Sequence, residues 1–364
     1  MSTPSASVIF GRTHAPNEPW LAKAQPEAAL QPDLPIVDTY VHFWHRGEHR
    51  YFLEDYGRDV AASGHNVVAI VAVECAAMYR TSGPKHLMCV GETEFQIGMA
   101  AMAESGKYTP VALDTAIVAY ADLMLGERVR EVLEAQQEAA NGRLRGIKQT
   151  AKWDASAAVR GAMGPGQPGL CLEPAFGKGL DCVAAMGLTL DVSVFHPQIP
   201  DVVTLARAHP DASIGLIHTG SPVGHDSYAG QEAQVHATWL AGMKELAKCP
   251  NVYVKLGGLL TNLGNFDFTQ ADAPPTSQFL AALWRPYIEP CIELFGAERC
   301  MVECNFPVDK AGYHYGTVWN MFKRITQGCS AHEQGMIFSG TARRVYRLDD
   351  QAQFGHLPVR TKTQ

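Results

Sequence analysis

The feature that most restricts the fold of this chain is an alternation repeated eight times. Short apolar or β-branched runs occur at residues 36–43, 67–73, 111–118, 144–148, 188–195, 213–217, 252–256 and 299–303. Each run leads into a polar or glycine-rich stretch and then into a segment with helical apolar spacing. The helical segments begin near Leu53, Glu92, Gly126, Pro174, Pro200, Gln231, Ser277 and Tyr315. Pro174 and Pro200 suit a first helical turn, and Ser277 is a candidate N-cap. Gly187 closes one helix and Lys248-Cys249-Pro250 another. Strands apolar along their whole length, each returned by a helix, build a parallel sheet covered on both faces. Eight such units predict a closed (β/α)8 TIM barrel. An open doubly wound sheet would carry a glycine-rich phosphate turn after its first strand. Here that stretch reads Thr39-Tyr40-Val41-His42-Phe43-Trp44.

Composition narrows the class further. With 364 residues and 46% hydrophobic content, the chain can bury a large core. Its 30 Lys+Arg against 37 Asp+Glu leave a net charge of −7 without a basic stripe, which argues against a nucleic-acid partner. No apolar run reaches the ~18 residues of a membrane span. The N-terminal stretch is polar and proline-rich, without the apolar centre of a signal peptide. The nine Cys are scattered and odd in number, the pattern of reduced thiols, so a cytoplasmic protein is expected. Residues 1–34 read as an arm or lid, 35–348 as the barrel with a helical cap from 331, and 349–364 as a tail. Loops 161–168 and 261–275 are candidate lids. The expected partner is a small molecule, and a homodimer is the prior for an enzyme of this kind.

Barrels of this type place chemistry at the C-terminal ends of their strands. Those ends carry Asp38, Tyr40 and His42, then Glu74, Lys148 and Gln149, His196, His218, Lys255, and the stretch Glu303 to Asn305. Buried polar groups are costly unless paired, so a ring of them at one rim predicts a site. Of the 14 His, only three fall at these ends. Trp44, Tyr79, Trp153, Phe306 and Tyr313 supply aromatic walls in the following loops. His45 and His49 are read as solvated loop residues, and Cys300 and Cys304 as buried thiols.

Several segments together resemble a known family. The stretch Asp38 to Trp44 resembles the Asp-x-His-x-His motif of the amidohydrolase superfamily. Closer matches lie in its amidohydrolase-2 branch, which includes sugar lactonases and pyrone-dicarboxylate lactonases. The supporting segments are Val73-Glu74-Cys75-Ala76, Arg145-Gly146-Ile147-Lys148, Phe195-His196-Pro197-Gln198, Ile217-His218-Thr219-Gly220 and Val302-Glu303-Cys304-Asn305-Phe306-Pro307-Val308-Asp309. The resemblance implies hydrolysis at the barrel mouth, of a C–O bond in a small lactone or ester that is aromatic-derived or carboxylated. In metal-using members the ligands are two His of the first strand, one His each after strands five and six, and an Asp after strand eight. His42, His196 and His218 match that set, whereas Tyr40 and Asn305 stand where a His and the Asp are expected.

These two departures bear on the chemistry. A phenol holds its proton to pH ~10 and is a poorer metal ligand than imidazole. An amide cannot act as a general base. No cofactor is therefore favoured, and one Zn²⁺ on His42, His196 and His218 is the alternative. His42, His196, His218, Tyr40, Asn305 and Glu74 are the candidate catalytic residues. Lys148, Gln149, Lys255, Tyr79 and Trp44 are the candidate substrate contacts. Asp309 is a candidate to replace the missing Asp, or else pairs with Lys310 or caps a helix. Two other functions stay open: a lyase or decarboxylase using Tyr40 as acid or base, and an inactive binding barrel.

Overall fold

The computed structural model describes residues 15–108, 114–161, 166–260, 268 and 271–348. Eight strands form one sheet in sequence order, every adjacent pair parallel. They are β1 (Ile36–Val41), β2 (Val67–Val73), β3 (Asp114–Tyr120), β4 (Leu144–Thr150), β5 (Thr189–Ser193), β6 (Ser213–Leu216), β7 (Val252–Leu256) and β8 (Cys300–Val302). Each is followed by a helix: α1 (Leu53–Ser63), α2 (Val90–Glu104), α3 (Val129–Ala139), α4 (Pro174–Ala185), α5 (Ile199–Ala208), α6 (Glu232–Leu246), α7 (Ser277–Phe295) and α8 (Tyr315–Ile325). The arrangement is a (β/α)8 TIM barrel. Its seam between β1 and β8 is closed by the Val41–Phe306 bridge, by His42 N–H on the Phe306 carbonyl at 2.8 Å, and by the Thr39 hydroxyl on the Val302 carbonyl at 2.8 Å.

Strand alternation separates two cores. Val37, Tyr40, Ala69, Val71, Val73, Ala116, Val118 and Met301 pack together inside the barrel. Ile36, Val41, Ile70, Ala72 and Ile117 belong to the larger layer between sheet and helices. The barrel's lower end is plugged by Tyr346, which follows the C-terminal helical segment. Its hydroxyl bonds both oxygens of Asp191, at 2.9 and 3.0 Å, and Lys255 completes the cluster at 2.6 Å from the same carboxylate. Gly215 makes room for this cluster, since a Cβ there would lie 2.8 Å from Asp191 Oδ1.

Local signals place most helix starts. Pro174 occupies the first turn of α4, and Gly187 follows it at φ +67°. The N-cap of α7 is Thr276, whose hydroxyl accepts from Phe279 N–H at 3.2 Å; Ser277 is the first helical residue and binds Glu27 instead. Residues 44–51 form a two-stranded antiparallel hairpin where the sequence reads as loop. The described part of the arm, 15–34, is a strap against α8 and its neighbours. Asn320 bonds Leu30 N–H and the Ala28 carbonyl, and Lys323 bonds the carbonyls of Leu30 and Gln31. The tail 349–364, residues 111–113, and most of the two candidate lid loops lie outside the described residues. No helix among the described residues is long and apolar enough to cross a membrane.

Candidate active site

Three rings meet at the mouth. Tyr40, pointing inward from β1, lies edge-on to His42 at 4.9 Å and to His218 at 4.6 Å between centroids. His42 donates its Nδ1–H to the Val73 carbonyl at 2.8 Å, which leaves Nε2 as its acceptor nitrogen. Trp44 stacks against His42 at 5.8 Å and is itself buried, so it backs that ring. Burial, together with the Lys148 charge, holds His42 well below the usual imidazole range. It is a neutral ring at neutral pH.

His218 follows β6 with φ +55°, a left-handed conformation that costs energy in a non-glycine residue. Its Nδ1 lies 2.6 Å from Glu303 Oε1, and its backbone N–H reaches the same oxygen at 2.9 Å. The pair needs space that only glycine leaves. A Cβ on Gly258 (φ +60°) would sit 2.1 Å from His218 Nδ1, and one on Gly257 would sit 2.5 Å from Glu303 Cγ. Because Oε1 accepts a backbone N–H as well, the ring proton belongs on Nδ1, leaving Nε2 free to act as a base. Burial, then Lys152, Lys148 and Lys255, push the His218 pKa well down. Glu303 is wholly buried, and burial raises its carboxyl to about 8 against the pull of Lys255.

Lys148, two residues before the end of β4, holds its ammonium 2.9 Å from Glu74 Oε1 and 3.2 Å from the Glu74 carbonyl. It also faces Tyr40, with its ammonium 5.8 Å from the centre of the phenol ring. Burial opposes its charge, but Glu74 and Tyr40 outweigh burial and raise its pKa. Tyr40 is likewise raised, by burial first, so its phenol keeps its proton. Glu74 is thus Lys148's counter-ion, and its second oxygen accepts from Ala76 N–H at 3.2 Å. Tyr79 stands half-buried on the loop after β2, where burial and the Glu74 charge keep its phenol protonated.

Sequence reasoning missed two residues here. Glu303 appears only as part of a polar strand end, because nothing linear pairs it with His218, 85 residues away. Lys152 lies beyond the predicted end of β4. Even spacing from Lys148 would have put it on the same inward side. It is buried, with its ammonium 5.2 Å from the Phe195 ring, and burial followed by the Lys148 charge brings its pKa down to about 7.

Other expected contacts are placed elsewhere. Lys255 is fully buried beneath Tyr40, its ammonium spent on Asp191 and on the Thr39 carbonyl at 2.8 Å, so it cannot meet a substrate at the mouth. Gln149 faces outward, accepting from Leu123 N–H at 2.9 Å and donating to Asp122 at 3.3 Å. Asp38 also points away from the axis, toward Tyr56 and Tyr315. His49 belongs to the hairpin and accepts from Trp44 Nε1 at 3.4 Å. Asp309 neither pairs with Lys310 nor replaces the expected Asp. It accepts from Asn305 Nδ2 at 2.8 Å and from the Tyr313 hydroxyl at 2.6 Å, while Lys310 binds Asp59. With its NH₂ committed, Asn305 has its amide oxygen left for a ligand.

His196 stands apart from the three-ring group. Its Nδ1 accepts from Val223 N–H at 3.3 Å, so the neutral ring carries its proton on Nε2 and offers no lone pair there. Burial lowers its pKa to about 4. One side of it borders an apolar groove of about 660 Å³ on the outside of the barrel, between α5 and α6. Among the described residues, no three His, Cys, Asp or Glu side chains gather as a metal ion requires. The expected set of His42, His196 and His218 does not fit one: a hydrogen-bonded Nδ1 disqualifies His196, Tyr40 offers a protonated phenol, and Asn305 a neutral amide.

The comparisons with known proteins agree with this architecture. The sequence profile of the amidohydrolase family matches residues 37–348. A Sinorhizobium fredii protein, the uncharacterized protein y4mH, is 30% identical over 335 residues, 87% of this chain and 99% of its own. The L-fucono-1,5-lactonase of Burkholderia multivorans is 26% identical over 330 residues, covering 87% of this chain and 97% of its own. A zinc-bound amidohydrolase structure from Burkholderia multivorans superposes with a TM-score of 0.64 at 23% identity, covering 86% of this chain and 99% of that one. With its barrel, its strand-end site and a family match across nearly the whole described fold, the chain belongs to the amidohydrolase family.

Proposed function

We propose that the protein hydrolyses the C–O bond of a small lactone, with His218 as general base. The observation that carries this reading is the His218–Glu303 pair. A buried carboxyl fixes the imidazole by Nδ1 and leaves Nε2 as its proton acceptor. In the step proposed, a water oxygen adds to the acyl carbon while its proton passes to His218 Nε2. The carbonyl electron pair moves onto oxygen, where the protonated Tyr40 phenol donates a hydrogen bond. Collapse breaks the ring C–O bond, and the leaving alkoxide takes the proton back from His218. One lactone and one water give one hydroxy acid. The amide oxygen of Asn305 suits a substrate hydroxyl or the attacking water. Lys152, just beyond the end of the strand that carries Lys148, suits a carboxylate on the substrate, and Tyr79 suits a planar one. No metal enters this reading. The similarity to an L-fucono-1,5-lactonase supports the substrate class.

A panel of sugar-derived and aromatic-derived lactones, run in ¹⁸O-labelled water, tests it. One label in the product carboxylate is expected, and His218→Asn should lose about 100-fold or more in kcat. Loss of CO₂ without label would instead establish a decarboxylase using the Tyr40 phenol as its acid. Full activity in His218→Asn, or no turnover of any lactone, would overturn the proposal.

A further inference from the structure

We propose that the Lys148 ammonium, tethered by Glu74 and set beside Tyr40, is the resident cation of this site and supplies the electrophilic pull that a metal ion would otherwise give. Three observations carry it. First, the donors around the mouth are wrong for a metal: a phenol, a neutral amide, and a histidine whose Nδ1 lone pair accepts from Val223 N–H. Second, the ammonium is built in. Two contacts to Glu74 fix it, its side chain is only 12% exposed, and its charge reaches both His42 and His218. A divalent ion between those imidazoles would sit beside a like charge that cannot move away. Third, the ammonium stands 5.8 Å from the centre of the Tyr40 ring, where its positive charge polarises the phenol O–H and makes it a stronger donor to a substrate oxygen. Lys148 is thus a positioning residue that acts through Tyr40.

The inference rests on the lactonase reading for its kinetic arm alone. In the first arm, the purified full chain is incubated with equimolar ZnCl₂, desalted, and its zinc counted by mass spectrometry. The wild type is expected to keep no stoichiometric zinc, whereas Tyr40→His/Lys148→Met, checked for folding by circular dichroism, is expected to gain it. In the second arm, Lys148→Met should lose about 100-fold in kcat with KM little changed, Lys148→Arg should recover part of it, and added zinc should restore neither. Stoichiometric zinc on the wild type overturns the proposal. So does a folded double variant that takes up no more zinc than wild type, or a wild-type kcat in Lys148→Met. If no lactone is turned over by any form, the lactonase reading fails, and the zinc counts still decide the resident cation.

Discussion

At Glu303 one oxygen accepts from both the backbone N–H and the ring of His218, at 2.9 and 2.6 Å. A glutamine at this position keeps an acceptor oxygen but can also turn its NH₂ toward the ring, which would take the Nδ1 lone pair and put the ring proton on Nε2. Glu303→Gln is therefore expected to lower kcat about 10- to 100-fold while KM moves little, the size typical of removing a partner that orients a reacting group. Steady-state kinetics on any lactone that the wild type hydrolyses would read this split, and a rise in KM alone would assign Glu303 to binding. Asp309 has the same relation to Asn305. Its oxygens accept from the amide NH₂ and from the Tyr313 hydroxyl, which turns the amide oxygen the other way. Asp309→Asn removes that constraint, because an amide facing an amide can pair in either orientation. Its expected signature is a loss of about 10-fold in kcat at nearly unchanged stability. A large fall in melting temperature would show instead that Asp309 serves packing with Tyr313.

At the scale of elements, the strap along α8 allows a clean test. Asn320 satisfies Leu30 N–H at 2.8 Å and the Ala28 carbonyl at 2.9 Å. Asn320→Ala leaves both without their partner and is expected to cost about 1–3 kcal/mol, measured by urea denaturation. No change in the midpoint would mean that the strap contributes nothing to stability. The strands and helices themselves were largely legible. Val67–Val73 and Val252–Leu256 stand at the predicted limits, and the helices beginning at Leu53, Pro174, Ser277 and Tyr315 start where expected. Apolar runs between proline and glycine punctuation carry that information locally. The hairpin at 44–51 was not legible, because strands of three residues show no alternation to read. Facing was the weaker point within the site. Lys148 and Gln149 are neighbours in sequence, and the period of two sends one to the substrate side and the other to the helix layer. Partners were weaker still. Lys255 was expected to meet a substrate and instead pairs with Asp191, a choice made by the radial order of strands that no linear pattern contains.

For the whole molecule the decisive junction is where the first strand meets the last. β1 and β8 share no regular ladder, and Asp38 does much of the joining. Its Oδ1 accepts from Cys304 N–H at 3.1 Å, and its Oδ2 accepts from the hydroxyls of Tyr56 and Tyr315 at 3.2 and 2.8 Å. Barrel closure and the packing of α1 and α8 thus depend on one carboxyl with no access to water. Burial raises its pKa from the ordinary 3.8 to about 6, despite those donors. The folded state therefore holds this proton more tightly than the unfolded chain does. The stability it contributes is fully present below about pH 4 and is lost as pH rises through about 6, a difference of about 3 kcal/mol for the full shift. An asparagine there has no proton to lose. Asp38→Asn is expected to be less stable than wild type, because its NH₂ cannot accept and one oxygen cannot take all three bonds. The gap should therefore narrow by about 2 kcal/mol between pH 4.5 and pH 7.5. Buried histidines also weaken the fold in acid, but they do so equally in both proteins and cancel in the comparison. Urea denaturation of the two proteins at both pH values reads the gap directly. A gap that is constant, or that widens toward neutral pH, would mean that Asp38 is already ionised in the folded barrel and that the seam is held by charge.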